Sequence, residues 1–386
     1  MKTLPKTLDE TYERILVNID EMYREDVQKV LQFLAFSARP VSLDEVVEVL
    51  AVTFEGSPRF DPEQRYPEPR DILTRCSSLV SISVLEQTRP KDQLRLAHFS
   101  VKEYLVSSRI QYSSACPFGM TARDAHGFIA RACLAYLLQF KTLKGLTEAT
   151  VGNFPLAQYA AAHWMGHAQA HEGPQLNDLQ ILIMVLLQVS QAHYVNWTRL
   201  YDAQLDWRDI MQEPSTVTPP LYYTACGGMT ETTRLLLEKG ADINAQGGVN
   251  GNALQAASYE RNNAIVQILL DNGADVNAQG GRYGNALQAA SYRGNDAIVQ
   301  ILLHKGADVN AQGGVYGHAL QAASYGGNDA IVQILLDNGA DVNAQGGEYD
   351  HALQAASFVG NDAIVQILLD NGADVNALGD KHGNVL

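Results

Sequence analysis

Three histidines have the spacing best suited to metal chemistry. His163, His167 and His171 follow one another at intervals of four residues, and Glu172 comes next. That spacing places side chains on one face of a helix, where pairs of histidines can bind zinc. No Cys or Asp completes a ligand set in this segment. We therefore expect a partly exposed packing face here, and neither a metal nor a cofactor.

A second group, His98, Ser100 and Glu103, has the residue types of a hydrolase. The three lie too close together in the chain to form a catalytic triad, and no G-x-S-x-G elbow is present. The phosphate-binding motif G-x-x-x-x-G-K-[ST] is also missing from the sequence. The sequence therefore predicts a protein that is not an enzyme.

The composition excludes several classes of partner. The formal net charge of -15 opposes binding to nucleic acid or to an anionic membrane, because both need a basic surface. The longest dense apolar run, 181–187, is too short to span a bilayer, and the N-terminus has no signal-peptide core. The four cysteines form no C-x-x-C pair. We expect a protein of the cytoplasm, with the nucleus as the other compartment.

The elements that position any site are clearest in the C-terminal half. The phrase Gly-Ala-Asp-(Ile/Val)-Asn-Ala recurs at an interval of 33 residues, beginning at Gly240, Gly273, Gly306, Gly339 and Gly372. Each period also holds an alanine-rich segment and an apolar one, such as 286–291 and 297–303. This pattern predicts a turn and two short helices per period, which bury their apolar faces only by stacking on neighbouring repeats.

Single residues indicate how each repeat begins and ends its helices. Asn252 and Asn285 stand where a helix N-cap is expected. Gly294 and Gly306 fall at helix ends, where a left-handed residue is favoured, and Gly280-Gly281 gives the projecting turn a permissive backbone.

The period and the G-A-D-V-N-A phrase closely resemble the ankyrin repeat. The family's Thr-Pro-Leu-His segment appears here as Asn285-Ala286-Leu287-Gln288, so we expect Asn, His and Gln to make the cap and the bonds between turns. The resemblance implies a protein partner bound by the turn tips and the concave face of the first helices. The family's contact positions fall on Val249, Tyr259, Glu260, Arg282, Tyr292, Arg293, Val315, Tyr325, Glu348 and Phe358.

Four of these positions form an aromatic column with the 33-residue interval: Tyr259, Tyr292, Tyr325 and Phe358. Aromatic residues are enriched at binding hot spots, which is one interpretation. The other is that the rings pack between repeats. The sequence leaves both interpretations open.

The N-terminal half is not repetitive. Amphipathic patterns predict helices over 8–20 and 27–37, and Ser42 with Glu45 forms a capping box for a third that reaches about Val52. The proline-rich stretch 56–69 is predicted to be a loop, followed by a helix over 71–76. Strands are predicted over 79–84 and 93–99, joined by a turn at 89–91. Helices followed by a β-ribbon are typical of a winged helix. Its DNA-binding form needs a basic third helix, whereas only Arg70 and Arg75 are available here.

Four segments resemble fungal signal-transduction ATPases of the NOD-like receptor type: 4–12, Leu34-Ala35 with Arg39-Pro40, 98–105, and Phe154-Pro155-Leu156-Ala157-Gln158-Tyr159-Ala160-Ala161 with His163-Trp164. In those proteins a winged helix follows the NACHT nucleotide-binding domain, and a helical connector leads to ankyrin repeats. The resemblance implies the sensing half of such a protein, without the NACHT domain and without ATP hydrolysis.

We therefore expect a mainly α chain: a winged-helix domain over 1–112, a helical connector over 113–215, and an ankyrin-repeat α-solenoid of five repeats over 216–378. Residues 379–386 resemble the start of a sixth repeat, so the outer face of the fifth should be apolar and frayed. The other interpretation is that these residues form a tail. The leading hypothesis is a non-enzymatic protein-interaction module. The alternatives are a DNA-binding regulator, an accessory fragment acting with a separate NACHT-type ATPase, and a shortened product without function.

Overall fold

The computed structural model describes residues 7–54, 59–83, 92–143, 146–147, 149–171, 178–201, 217–379 and 383–384. The chain divides into two compact units, 1–212 and 213–386. The turn predicted at 89–91, Glu172 and residues 1–6 lie outside the described residues. Among the residues described, no helix combines the length and the apolar character that crossing a bilayer requires.

The first part of the N-terminal unit alternates helices with very short strands. Its elements are α1 (Leu8–Val17), α2 (Arg24–Phe36), β1 (Val41–Ser42), α3 (Leu43–Leu50), β2 (Val52–Thr53), β3 (Arg59–Phe60), α4 (Asp71–Cys76), β4 (Val80–Ser83) and β5 (Gln93–Leu96). Short 3-10 turns lie at Glu21–Tyr23, Pro62–Gln64 and Ser77–Leu79.

The strands β1, β5 and β4 form an antiparallel sheet in that order, with Val41 opposite Leu94 and Val80 opposite Leu96. With the helices α2, α3 and α4 this is the expected winged-helix architecture. The capping box predicted at the start of α3 is confirmed, because the Ser42 side chain accepts from the Glu45 N–H and the Glu45 side chain accepts from the Ser42 N–H.

Two predictions for this region are wrong in detail. The stretch predicted as a loop contains β3, which pairs with β2, and the sheet has a third strand, β1. Both strands are two residues long, and β1 pairs with β5, which is distant in sequence.

Six further helices complete the described part of the N-terminal unit: α5 (Phe99–Val106), α6 (Ser108–Gln111), α7 (Ala122–Leu137), α8 (Ala157–His171), α9 (Asp178–Leu186) and α10 (Ala192–Tyr201). Helices α7 and α8 pack along each other. Their core includes Tyr136, Tyr159 and Trp164, which are fully buried, and Trp164 meets Trp197 of α10 edge-on. Short 3-10 turns lie at Cys116–Phe118 and Val151–Asn153.

In the fully described stretch 217–379, ten helices form five pairs, here called repeats 1 to 5. The pairs are α11 (Pro220–Cys226) with α12 (Thr230–Glu238), α13 (Ala253–Tyr259) with α14 (Asn263–Asp271), α15 (Ala286–Arg293) with α16 (Asp296–His304), α17 (Ala319–Tyr325) with α18 (Asp329–Asp337), and α19 (Ala352–Val359) with α20 (Asp362–Asp370). First helices pack on first helices, and second helices on second helices. A last strand pair, β6 (Leu378–Gly379) and β7 (Gly383–Asn384), follows.

The core of the stack consists of the residues that the periodicity identified. Ala289 and Ala290 are fully buried, which lets neighbouring first helices approach closely, and Ile298, Val299 and Leu302 are fully buried on α16. Gly294 has φ +70, in the left-handed region as predicted. The predicted fold class, mainly α with ankyrin-type repeats after a winged helix, is confirmed.

The face of repeat 5 that points away from repeat 4 is more exposed than the same face of repeat 4. Val332 of repeat 4 is fully buried, whereas Val365 at the same position is half-buried. Phe358 is 60% exposed and Val359 is 41% exposed. Apolar side chains are therefore presented at this end of the described stack.

Candidate partner-binding face

Buried glutamines bind each repeat to the next. In repeat 3, Gln288 accepts from the Asn285 N–H through Oε1 (2.9 Å), and Asn285 Oδ1 accepts from the Gln288 N–H (2.9 Å). The Nε2 of Gln288 then donates to the carbonyls of Ala311 (3.1 Å), Gly313 (3.2 Å) and Gly317 (2.8 Å). Gln255 repeats these bonds one period earlier. The expectation that Asn and Gln replace the usual cap and inter-turn bonds is thus confirmed for repeats 2 and 3.

The histidine versions of the cap differ between repeats 4 and 5. His318 makes no capping bond with its side chain, and Nε2 of Gln321 lies 3.2 Å from its Nδ1. In repeat 5, Gln354 Oε1 accepts from the His351 N–H (3.2 Å). Gln321 still donates to the carbonyl of Ala344 (2.9 Å), so the bridge to the next repeat is kept.

Asparagines of the recurring Gly-Ala-Asp-Val-Asn-Ala phrase make a second row of hydrogen bonds between neighbouring repeats. Asn277 Oδ1 accepts from the Asp308 N–H (2.8 Å), and Asn277 Nδ2 donates to the carbonyl of Gly306 (3.0 Å). Asn310 and Asn343 make the same two bonds one and two periods later. The frame is therefore held by side chains that the 33-residue phrase repeats.

Main-chain hydrogen bonds link the turn tips of neighbouring repeats. The Arg282 N–H donates to the carbonyl of Val249 (2.8 Å), the Val315 N–H to that of Arg282 (2.9 Å), and the Glu348 N–H to that of Val315 (2.8 Å). These four residues are the predicted tip contacts, and they lie in one row. Val249 (68% exposed), Arg282 and Glu348 are exposed, and Val315 is half-buried.

Seven aromatic rings form a continuous stack beside the tips. The four rings of the predicted column alternate with three tip tyrosines that the sequence analysis missed, Tyr283, Tyr316 and Tyr349. Successive centroids lie 4.8–5.3 Å apart in the order Tyr259, Tyr283, Tyr292, Tyr316, Tyr325, Tyr349, Phe358. The tip tyrosines are buried, whereas Tyr259, Tyr292 and Tyr325 are half-buried. Their 33-residue interval was the available signal.

The stack therefore packs between repeats, which is one of the two interpretations left open. Burial raises the pKa of Tyr283 and of Tyr316 above the usual tyrosine value. Whether the exposed edges of the rings also bind a partner stays a prediction. We call the surface formed by the tip row, the aromatic stack and the adjacent ends of the first helices the ladder face.

The remaining predicted contacts lie at the helix ends of the ladder face. Glu260 is exposed and Arg293 is half-buried. The Arg293 guanidinium lies over the Tyr259 ring, 4.7 Å from its centroid, and its Nε donates to the Tyr259 carbonyl (3.0 Å). The corresponding residues of repeats 4 and 5 are Gly326 and Val359. The frame is thus constant while the side chains at this position differ.

The histidines of α8 lie on one helix, as predicted, but they have separate protein contacts. His167 Nδ1 lies 2.8 Å from His126 Nδ1, and His167 Nε2 lies 3.0 Å from the Tyr159 hydroxyl. His171 Nδ1 lies 2.8 Å from the carbonyl of Arg123. Burial, together with His126 and His163, lowers the pKa of His167 to about 4. Over the described ranges, no three His, Cys, Asp or Glu side chains converge as metal ligands would.

The hydrolase-like group serves to begin α5. His98 is the N-cap, its Nδ1 accepts from the Ser100 N–H (3.3 Å), and Ser100 Oγ lies 2.7 Å from the Tyr12 hydroxyl. These contacts fix the start of a helix.

The arginines of the DNA-binding alternative have partners within the unit. Arg70 pairs with Asp92 at 2.8 Å, and Arg75 lies over the Tyr23 ring, 3.8 Å from its centroid. Arg70 precedes α4 and Arg75 lies on it, and each of the two is occupied by its own partner.

The fold and the ladder face together define the class: a protein with ankyrin repeats in its C-terminal part and a winged-helix domain at its N-terminus. The family profile described as "Ankyrin repeats (3 copies)" matches residues 198–280, 221–313 and 286–379. The profile described as "GPI inositol-deacylase, winged helix domain" matches residues 12–117. Ankyrin repeats form a binding architecture, which implies a protein partner.

A curated relative is found in a fungus. The chain is 41% identical over 282 residues to the "Azaphilone pigments biosynthesis cluster protein L" of Monascus ruber. The match covers 69% of this chain and 59% of that protein, so the chain spans less than two thirds of the relative's length.

Proposed function

We propose that this chain is a non-enzymatic interaction protein that binds a protein partner through its ladder face. The observation that carries the proposal is the separation of frame from surface. Buried Gln and Asn side chains hold the repeats together, while the tip residues Val249, Arg282 and Glu348 project from a backbone that needs none of their side chains.

The N-terminal domains indicate the kind of protein in which the repeats act. We propose the boundaries 1–112 for the winged helix, 113–215 for the connector and 216–378 for the repeats. The similarity to fungal NACHT-type proteins supports a role as the sensing part of a cytoplasmic signalling protein of the NOD-like kind. The relative from Monascus ruber supports a fungal setting, and by its printed name it belongs to a pigment biosynthesis cluster.

The test compares protein capture by the full chain and by tip variants. Val249→Asp/Glu348→Arg changes two tip side chains whose only bonds to the frame are main-chain bonds. Gln300→Arg, at an exposed position of α16 away from the tips, is the control. We expect the tip variant to lose proteins that both wild type and control retain in quantitative mass spectrometry.

The proposal requires the tip variant to remain folded, which a thermal melt followed by circular dichroism checks. Capture of the same proteins in equal amounts by the folded tip variant would contradict it. Turnover activity of the purified wild-type chain would contradict its non-enzymatic part.

A further inference from the structure

The cations of the repeat unit are unevenly placed. Residues 217–379 contain six Lys or Arg and sixteen Asp or Glu. Three of the six cations, Arg261, Arg282 and Arg293, lie at the tip or at the first-helix end of repeats 2 and 3. The ladder face therefore has a basic region in a unit that is otherwise strongly acidic.

These arginines gather around the first rings of the stack. The Arg293 guanidinium lies over Tyr259, and the Arg282 guanidinium lies 5.9 Å from the centroid of Tyr283. Arg261 donates through Nε to the carbonyl of Arg293 (2.9 Å) and through Nη2 to that of Gly294 (3.1 Å). Cation–π contacts and these bonds hold the three groups in place before any partner arrives.

The arginines also have donor groups that can bind carboxylates of a partner. Within the described residues, none of the three forms a salt bridge to an Asp or Glu, unlike Lys305, which pairs with Asp271 at 2.8 Å. Arg293 uses its Nε for the Tyr259 carbonyl, which leaves the N–H groups of Nη1 and Nη2 in the forked geometry that binds a carboxylate.

The other end of the ladder face is apolar. Repeats 4 and 5 contribute the half-buried Val315 and Tyr325, and the exposed Phe358 and Val359. Glu348 is the one charge among the predicted contacts there. The face therefore changes from basic and aromatic to apolar along the direction in which the repeats stack.

We propose that the ladder face binds an acidic peptide segment of a partner protein. Its carboxylates pair with Arg282 and Arg293, and its bulky apolar side chains lie against Tyr325 and Phe358. Charge complementarity selects this occupant, because Arg282 and Arg293 form no salt bridge within the described residues, and Glu260, which feels the charge of Arg293, is the acidic side chain at the same helix ends. A nucleic acid is disfavoured, since its evenly spaced phosphates would extend past the arginines to Glu348 and the surrounding acidic surface. The inference rests on the proposed function of the same face.

The test uses the full chain and a phage library of random 12-residue peptides as the probe. Selected peptides are then synthesised with fluorescein, together with versions in which Asp and Glu become Asn and Gln, and binding is measured by anisotropy. We expect enrichment of Asp and Glu beside large apolar residues. Each Arg→Glu change at position 282 or 293 should weaken binding about tenfold, since an exposed pair contributes up to about 1 kcal/mol and reversal changes its sign.

The matched control is Arg234→Glu, which makes the same change of charge on α12, where Arg234 is about half-exposed beside Glu231. It should bind within about twofold of wild type. Arg282→Glu alone is the safeguard against misfolding, because Arg282 is exposed and its main-chain bonds do not depend on its side chain.

The outcomes separate this inference from the proposed function. Peptides without carboxylates that lose binding in Val249→Asp/Glu348→Arg but not in Arg282→Glu/Arg293→Glu overturn the inference and leave the proposed function intact. If no selected peptide depends on either pair of positions, both fail. Tighter, arginine-dependent binding of a 24-nucleotide single-stranded DNA than of any peptide overturns the inference in favour of nucleic acid.

Discussion

Replacing Gln288 by alanine removes the side chain that binds repeat 3 to repeat 4. Gln288 is fully buried, and it satisfies the Asn285 N–H and three carbonyls at 2.8–3.2 Å. Ala311 and Gly313 are half-buried, so water can replace their bonds, and the buried Gly317 carbonyl keeps the Gly313 N–H as a donor (2.7 Å). The buried Asn285 N–H is left without a partner, which costs about 1–3 kcal/mol, so we expect a loss of about 2 kcal/mol in the free energy of unfolding.

This loss falls on one junction of a structure whose stability comes from neighbouring interfaces. We therefore expect the urea transition of Gln288→Ala, followed by far-ultraviolet circular dichroism, to shift to lower urea and to broaden. The control is Gln300→Ala, the same substitution at an exposed position of repeat 3, which should stay within about 0.5 kcal/mol of wild type. A Gln288→Ala transition that coincides with that of the control would refute the reasoning.

Three further predictions concern other parts of the chain. Because the pKa of His167 falls from its ordinary value to about 4 on folding, its contribution is present above about pH 6.5 and is lost as the pH falls toward 4. The free energy of unfolding of the wild type, measured in urea titrations, should fall by about 2 kcal/mol between pH 8 and pH 5, and that of His167→Asn should fall clearly less. Equal decreases would exclude this histidine as the cause. Arg261 has φ +63 at a position where the next three repeats have glycine. Arg261→Gly should therefore be about 1 kcal/mol more stable than Arg261→Ala in the same assay. Equal stabilities would mean that the backbone is not strained there. The buried Glu48 accepts from Arg65 Nη2 at 2.8 Å. Arg65→Met should therefore lower the melting temperature more than Glu48→Gln/Arg65→Met does, and the reverse order would contradict the cost of a buried carboxylate that has lost its cation.

The fold of the repeat unit could be predicted from the sequence because the residues that determine it are close in sequence and recur in each repeat. A 33-residue period places caps, glycines and apolar faces five times over, and Asn285 with Gln288 forms a capping box within four residues. The winged helix was predicted from amphipathic helices and alternating strands, again local patterns. Its two-residue strands β1 and β3 were missed because they are too short to show an alternation.

The ladder face could be predicted only in part. The column containing Tyr259 and Tyr292 was evident from its interval, but Tyr283 has the same interval and was not recognised as part of a stack. It lies in a glycine-rich turn, a setting that suggests exposure, and its burial arises from rings of two neighbouring repeats. Similarly, the spacing of His163 and His167 gave the helix, whereas the approach of His126 depends on how α7 packs on α8.

The main-chain hydrogen bonds of the tip row determine which of its side chains can change without loss of stability. Since Val249, Arg282, Val315 and Glu348 are linked through N–H and carbonyl groups only, any residue except proline could form the same links. Substitutions at the exposed Val249, Arg282 and Glu348 should leave the folding of the domain almost unaffected, whereas Val315 also packs against the aromatic stack. If the ladder face binds a partner as proposed, its selectivity can be altered at these exposed positions one side chain at a time, with little loss of stability to be compensated elsewhere.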